Sequence, residues 1–171
     1  FSVPSGNFGN ICAGVMAQQL GLPVKQFIAS TNSNDIVPNY LKTGVYTPKP
    51  SIQTISNAMD VGDPSNFIRI QEIYKNDDEL LKKNVSSYSF TDEETKKAIK
   101  KIKKKSGYIA DPHGAVGYLG LKKYLTKHKA QGIFLETAHP VKFLDVVEPV
   151  LNETIEFPQQ ILNVMNKKKV S

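Results

Sequence analysis

Gly6 and Gly9 lie in the opening run Phe1-Ser2-Val3-Pro4-Ser5-Gly6-Asn7-Phe8-Gly9-Asn10, spaced to form a tight loop between a strand and a helix, a place where an anion can bind. Glycine lets the backbone turn sharply and leaves no side chain above the loop. Phe1 and Val3 read as the end of a strand. Asn10 reads as the cap of a helix that buries Ile11, Cys12, Val15, Met16 and Leu20 and stops at Gly21 and Pro23. Strand, glycine loop and helix start together aim unpaired N–H groups and the positive end of a helix dipole at one point, which suits a phosphate. Asn7 adds a side chain able to donate or accept beside the bound group. An ordinary strand-to-helix turn also uses two glycines, and spacing alone leaves both readings open.

Further polar residues fall where strands should end. Ile133-Phe134-Leu135 reads as a buried strand with Glu136 and Thr137 at its carboxyl end. On residue type alone Thr137 is a strand-end cap, and His139, just before Pro140, is a structural histidine or a residue lining a site. His113 and Gly114, in Asp111-Pro112-His113-Gly114, open a helix and stand at its loop end. His128, between Lys127 and Lys129, reads as solvent-exposed. The 3 histidines and 1 cysteine show no ligand spacing, so no metal site is expected. Cys12 has no partner for an internal disulfide and no base near it in sequence. It reads as a small buried hydrophobe in a reducing compartment, the cytoplasm.

The wording of these stretches is more specific than their spacing. Ser-Val-Pro-Ser-Gly-Asn-Phe-Gly-Asn resembles the phosphate-cradling loop of threonine synthases, pyridoxal-phosphate enzymes of the tryptophan synthase β-like fold. Ile55-Ser56-Asn57-Ala58-Met59-Asp60-Val61, Asp111-Pro112-His113-Gly114-Ala115-Val116 and Glu136-Thr137-Ala138-His139-Pro140-Val141-Lys142-Phe143 resemble the same family in the same order, so the likeness runs from Phe1 to about Val150. It implies that Gly6, Asn7, Phe8, Gly9 and Asn10 hold the phosphate of pyridoxal 5'-phosphate, and that the Thr137 hydroxyl meets the pyridine nitrogen. It implies O-phospho-L-homoserine and water as substrates, and L-threonine and phosphate as products of elimination and replacement, the last step of threonine biosynthesis. The family's Schiff-base lysine sits in a Ser-Phe-Lys-Asp-like segment before the glycine loop. No such segment occurs here, so no catalytic residue is expected in this chain. The expectation is the C-terminal part of the large cofactor-binding domain, residues 1–171, inactive by itself and needing the remainder of its own chain. Lys142, Asn34 and Asn57 are candidates for the substrate phosphate. A dehydratase-like enzyme of the same fold and a non-catalytic phosphate-binding module are the alternatives.

The elements that must position these residues follow an α/β rhythm. Val24 to Ala29 reads as a short strand, Val37 to Leu41 as a helix capped from Thr31-Asn32-Ser33-Asn34-Asp35 and closed by Gly44, and Val85 to Phe90 as another strand. Such alternation implies a parallel sheet with helices on both faces and ligands beyond the strands' carboxyl ends. Ser65-Asn66 should cap a helix through Phe67, Ile70, Ile73 and Tyr74, with a shorter helix from Asp77 to Lys83. Gly114, Gly117 and Gly120 recur on one helical stripe, which suggests close helix–sheet packing for the latter two. Pro140 suits the first turn of a helix through Val150, and Pro158 opens a short helix before Lys167-Lys168-Lys169.

With 171 residues the chain can bury one core, and no apolar run reaches a membrane span. The net charge of +6 invites a nucleic-acid reading. Its excess is concentrated from Lys96 to Lys105, after the capping box Thr91-Asp92-Glu93-Glu94, on a helix whose inner side is Ala98, Ile99 and Ile102. Arg69 is the sole arginine, whereas phosphate and base readout favour arginine, so the run reads as a solvated helix face.

Overall fold

A computed structural model describes residues 1–165 and 167. Three parallel strands form the sheet in the order β1 (Ser2–Pro4), β2 (Phe27–Thr31), β3 (Val85–Ser89). Pairing begins at Phe27 rather than Val24 because the ladder needs a partner, and β1 offers one only from Ser2, which pairs with Ile28. β3 runs beside all of β2, from Phe27↔Val85 to Thr31↔Ser89.

Strand alternation sends the two faces to different neighbours. Val3, Phe27, Ala29 and Val85 join Ile11, Cys12 and Val15 of α1 (Gly9–Gln19), Val37 and Tyr40 of α2 (Ile36–Thr43), and Phe67 and Ile70 of α3 (Phe67–Ile73) in one core. Leu81 of α4 (Asp78–Asn84), capped by the Asp77 side chain, closes that core. Met16 and Leu20, expected inside, are 54% and 89% exposed. The stripe Ile11-Cys12-Val15 already faces the sheet, and the two residues lie a turn-fraction round the helix from it.

Ser2, Pro4 and Ser30 face α6 (Pro112–Leu125) on the opposite side. A side chain at Gly120 would run into Ser30 and Ser2, and one at Gly117 would stand 3.3 Å from Pro4. Close packing therefore explains both glycines, as expected from the sequence. Behind α6 lie α5 (Asp92–Ser106) and α7 (Leu144–Leu151), joined through Ala98, Ile99, Ile102, Ala115 and Val150. The Thr91–Glu94 capping box is formed, and the lysines of α5 occupy its outer side. Pro140–Phe143 is a short 3-10 turn before α7, and α8 (Gln159–Met165) follows Pro158. Of the expected tail, Lys168 and Lys169 lie outside the described residues.

Ile133–Leu135 is not the buried strand expected. It makes a single parallel bridge, Ser2↔Phe134, and Ile133 is 55% exposed. It runs along the outer edge of β1, with Phe134 edge-on to Tyr118 of α6 at 5.7 Å and Leu135 packed against the main core, while Ile133 is left to solvent. No described helix is long and apolar enough to cross a membrane.

Candidate functional site

The glycine loop leaves β1 at the carboxyl edge of the sheet. Ser5 N–H donates to Ser30 C=O at 2.8 Å, and the Ser5 hydroxyl donates to Val3 C=O at 2.8 Å. Two contacts then set the loop's path. A Cβ at Gly6 would lie 2.6 Å from Met59 Cα, so only glycine lets the loop touch the 57–59 turn. Phe8 adopts a left-handed backbone, φ 62°, which costs an ordinary residue about 1 kcal/mol. Its ring offsets that cost by burying itself to 3% exposure, edge-on to Phe67 at 5.6 Å.

The left-handed turn at Phe8 starts α1 earlier than the sequence suggests. Asn10 is therefore not the cap; it lies in the first turn, and Phe8 is the cap residue, with no side chain capping the helix. Cys12 makes the first backbone bond, to Phe8 C=O at 3.0 Å. Gly9, Asn10 and Ile11 are left with N–H groups that have no acceptor in their own helix. A Cβ placed on Gly9 would meet nothing closer than Asn66 Nδ2 at 3.6 Å, so bare backbone is presented there.

Asn7 is occupied differently from the sequence expectation. Its Oδ1 accepts from Ser65 N–H at 2.7 Å and from the Ser65 hydroxyl at 3.0 Å, and its C=O accepts from Asn66 Nδ2 at 3.0 Å. Arg69 donates to Asn66 Oδ1 at 2.8 Å. Ser65 and Asn66, expected to cap α3, thus hold the glycine loop, and no side chain caps α3. Their role was hidden because both are ordinary cap residues in sequence.

Thr137 comes to the same edge. Ser2 N–H donates to Ile133 C=O at 2.7 Å and Leu135 N–H to Ser2 C=O at 2.9 Å. Pairing ends with this Ser2↔Phe134 bridge, and Glu136 and Thr137 follow it in the direction of the carboxyl end of β1. Thr137 is exposed.

The histidines separate. His139 is exposed, and its Nδ1 accepts from Val141 N–H at 3.3 Å, a local cap. His128 stacks on Tyr124 at 4.1 Å and is exposed. His113 is buried, packs against Phe143 at 4.8 Å, and donates through Nδ1 to Asp111 Oδ1 at 2.7 Å. Glu136 is drawn to this group: its carboxyl lies against Gly114, where a side chain would overlap it, and neither of its buried oxygens has a donor among the described residues. Asp111 and Glu136 were visible in the sequence only as motif members; an acidic residue two places before a buried histidine was the available signal.

Among the candidates for the substrate phosphate, Lys142 and Asn57 line one open groove with Thr54 and Asp92. Asn34 is spent elsewhere. Its side chain bonds Asn32 and Ile52 inside a buried network centred on Asp60, which also receives Asn32 Nδ2 at 2.8 Å and the Thr54 hydroxyl at 2.7 Å.

A family model described as "Pyridoxal-phosphate dependent enzyme" matches residues 1–134. The chain belongs to the pyridoxal-phosphate-dependent enzymes. A second model, "Threonine synthase, C-terminal", matches residues 114–171. Within the family its relatives are threonine synthases. That of Buchnera aphidicola subsp. Baizongia pistaciae is 48% identical over 162 residues, covering 95% of this chain and 37% of the relative. The crystal structure of the Escherichia coli threonine synthase matches with a TM-score of 0.88 at 42% identity, over 96% of this chain and 38% of that one. A threonine synthase from Brucella melitensis, solved with PLP bound, matches with a TM-score of 0.87 at 32% identity, over 99% of this chain and 41% of that one. The chain thus spans little more than a third of the relatives it matches.

Proposed function

We propose that this chain is the C-terminal part of the cofactor domain of a threonine synthase, converting O-phospho-L-homoserine and water to L-threonine and phosphate, a carbon–oxygen lyase reaction closing threonine biosynthesis. The observation that carries the reading is the uncapped start of α1 beneath bare glycine backbone at the carboxyl edge of a parallel sheet. These residues fit pyridoxal 5'-phosphate. Helix N–H groups and the helix dipole favour its phosphate dianion, and a threonine hydroxyl suits a ring nitrogen. When bound, the cofactor serves as the electron sink for the substrate's amino-bearing carbon.

Gly6, Asn7, Phe8, Gly9 and Asn10 hold the phosphate through backbone, while Asn7 locks the loop to Ser65. Thr137 meets the ring nitrogen without adding a charge, which moderates the sink and favours elimination and replacement over transamination. Lys142 and Asn57 offer the substrate phosphate a cation and an amide in one groove. The proton-handling lysine belongs to the remainder of the chain, so the 171-residue piece alone is inactive. The buried, unpaired Cys12 agrees with a reducing compartment, the cytoplasm.

The test is turnover by the full-length protein. O-phospho-L-homoserine should give L-threonine and phosphate in equal amounts, and G9V should lose the cofactor during dialysis. Deamination of serine or threonine instead, with no phosphate released from the phosphorylated substrate, would move the protein to the dehydratases.

A further inference from the structure

Three carboxyl oxygens are shut off from water with no donor among the described residues: Asp111 Oδ2 and both oxygens of Glu136. Asp111 Oδ1 is well supplied, by His113 N–H at 2.8 Å and His113 Nδ1 at 2.7 Å. Two ionised carboxylates meeting there would put acceptor against acceptor. One proton on either turns the contact into a hydrogen bond.

We propose that Glu136 is a positioning residue for the cofactor site: its carboxyl, kept as the neutral acid, donates to Asp111 and so fixes the chain segment that carries Thr137. The geometry says which group holds the proton. Asp111, wholly buried at the start of α6, is raised by burial but receives two bonds from His113, and these with the proton proposed on Glu136 hold it below its ordinary value. Glu136 has no N–H donor, and burial first, then the neighbouring Asp111, pushes it up to about 8. Gly114 makes the contact possible, since a side chain there would overlap the Glu136 carboxyl. Tyr108 is the other titratable group that feels the pair, its phenol raised by burial and then by Glu136 and Asp111. Thr137 follows Glu136 directly, so anchoring one sets the other.

This inference rests on the reading of Thr137 as the ring-nitrogen contact, and the full-length protein with and without pyridoxal phosphate can separate the two. In the apoprotein at neutral pH, infrared spectroscopy should show the carbonyl stretch of a buried carboxylic acid that E136Q removes. E136A should weaken cofactor binding on the order of tenfold by leaving Asp111 without its donor, and E136Q, whose amide still donates, should restore it. Wild-type affinity should fall as pH rises through about 8, and E136Q should lack that fall. The double variant E136A/T137V should bind no more weakly than T137V. An absent infrared band, unweakened binding in E136A, the same alkaline fall in E136Q, or additive losses in the double variant would each overturn the proposal. T137V binding as wild type does, with the infrared band intact, would sink the ring contact and the positioning role while leaving the shared proton standing. Should E136A fail to fold, the E136Q comparison and the infrared band still decide.

Discussion

Gly6 and Gly9 share a loop yet answer to different constraints. Gly6 is required by protein packing, because its missing side chain faces Met59 backbone at 2.6 Å. A side chain at Gly9 would meet only Asn66 Nδ2 at 3.6 Å, so the protein itself does not demand glycine there, and on the proposed function the bound phosphate does. G6A in the full-length apoprotein should therefore lower stability by roughly 1–3 kcal/mol in a urea titration. G9A should change stability by less than about 1 kcal/mol and appear instead as weaker cofactor binding in a fluorescence titration. Equal effects of the two on stability would refute this division. Glu136 adds a pH dependence with a definite sign. Folding raises it from 4.5 to about 8, so the folded state binds the extra proton between those values. Its contribution is complete at low pH and is lost as pH climbs through about 8. A series of melts should show a steeper alkaline decline in wild type than in E136Q.

At the scale of elements, α6 is built around what it lacks. Gly120 costs about 1 kcal/mol of helix propensity against alanine, yet an alanine there meets Ser30 and Ser2, whose hydroxyls bond each other at 2.9 Å. G120A should destabilise by about 2 kcal/mol despite its better propensity, seen as a lower denaturation midpoint; stabilisation would show that α6 can lift off the sheet. The α5 capping box should cost about 1 kcal/mol when broken by T91A. Most of this layer was legible in the sequence, because apolar period, capping residues and glycine stops are local signals. The stripe of glycines, the parallel strands and the solvated lysine face all followed from them. What escaped was set by partners distant in sequence. Met16 and Leu20 carry the right residue type on the wrong side of α1, Ile133–Leu135 is apolar but runs along an edge, and Asn10 lost its cap role to a left-handed Phe8.

For the molecule as a whole, the proposed site draws on segments far apart in the chain: the loop after β1 is held by Ser65-Asn66 before α3, and the start of α6 meets the Glu136 carboxyl just before Thr137. The glycine loop's turn and the helix after it were legible from composition, while the phosphate role of the loop and the ring contact of Thr137 came from motif resemblance alone and stay proposals. Nothing in residue order revealed that Glu136 would meet Asp111, since that meeting needs the Ser2↔Phe134 bridge and a glycine at 114. The anchoring of Phe8 has one further effect. Its ring belongs to the main core while its peptide shapes the glycine loop, so the loop cannot loosen without extracting an aromatic side chain. The amide hydrogen of Cys12, bonded to Phe8 C=O, should thus exchange only when the whole domain opens, whereas that of Asn10, with no acceptor in its helix, should exchange freely until a ligand covers it.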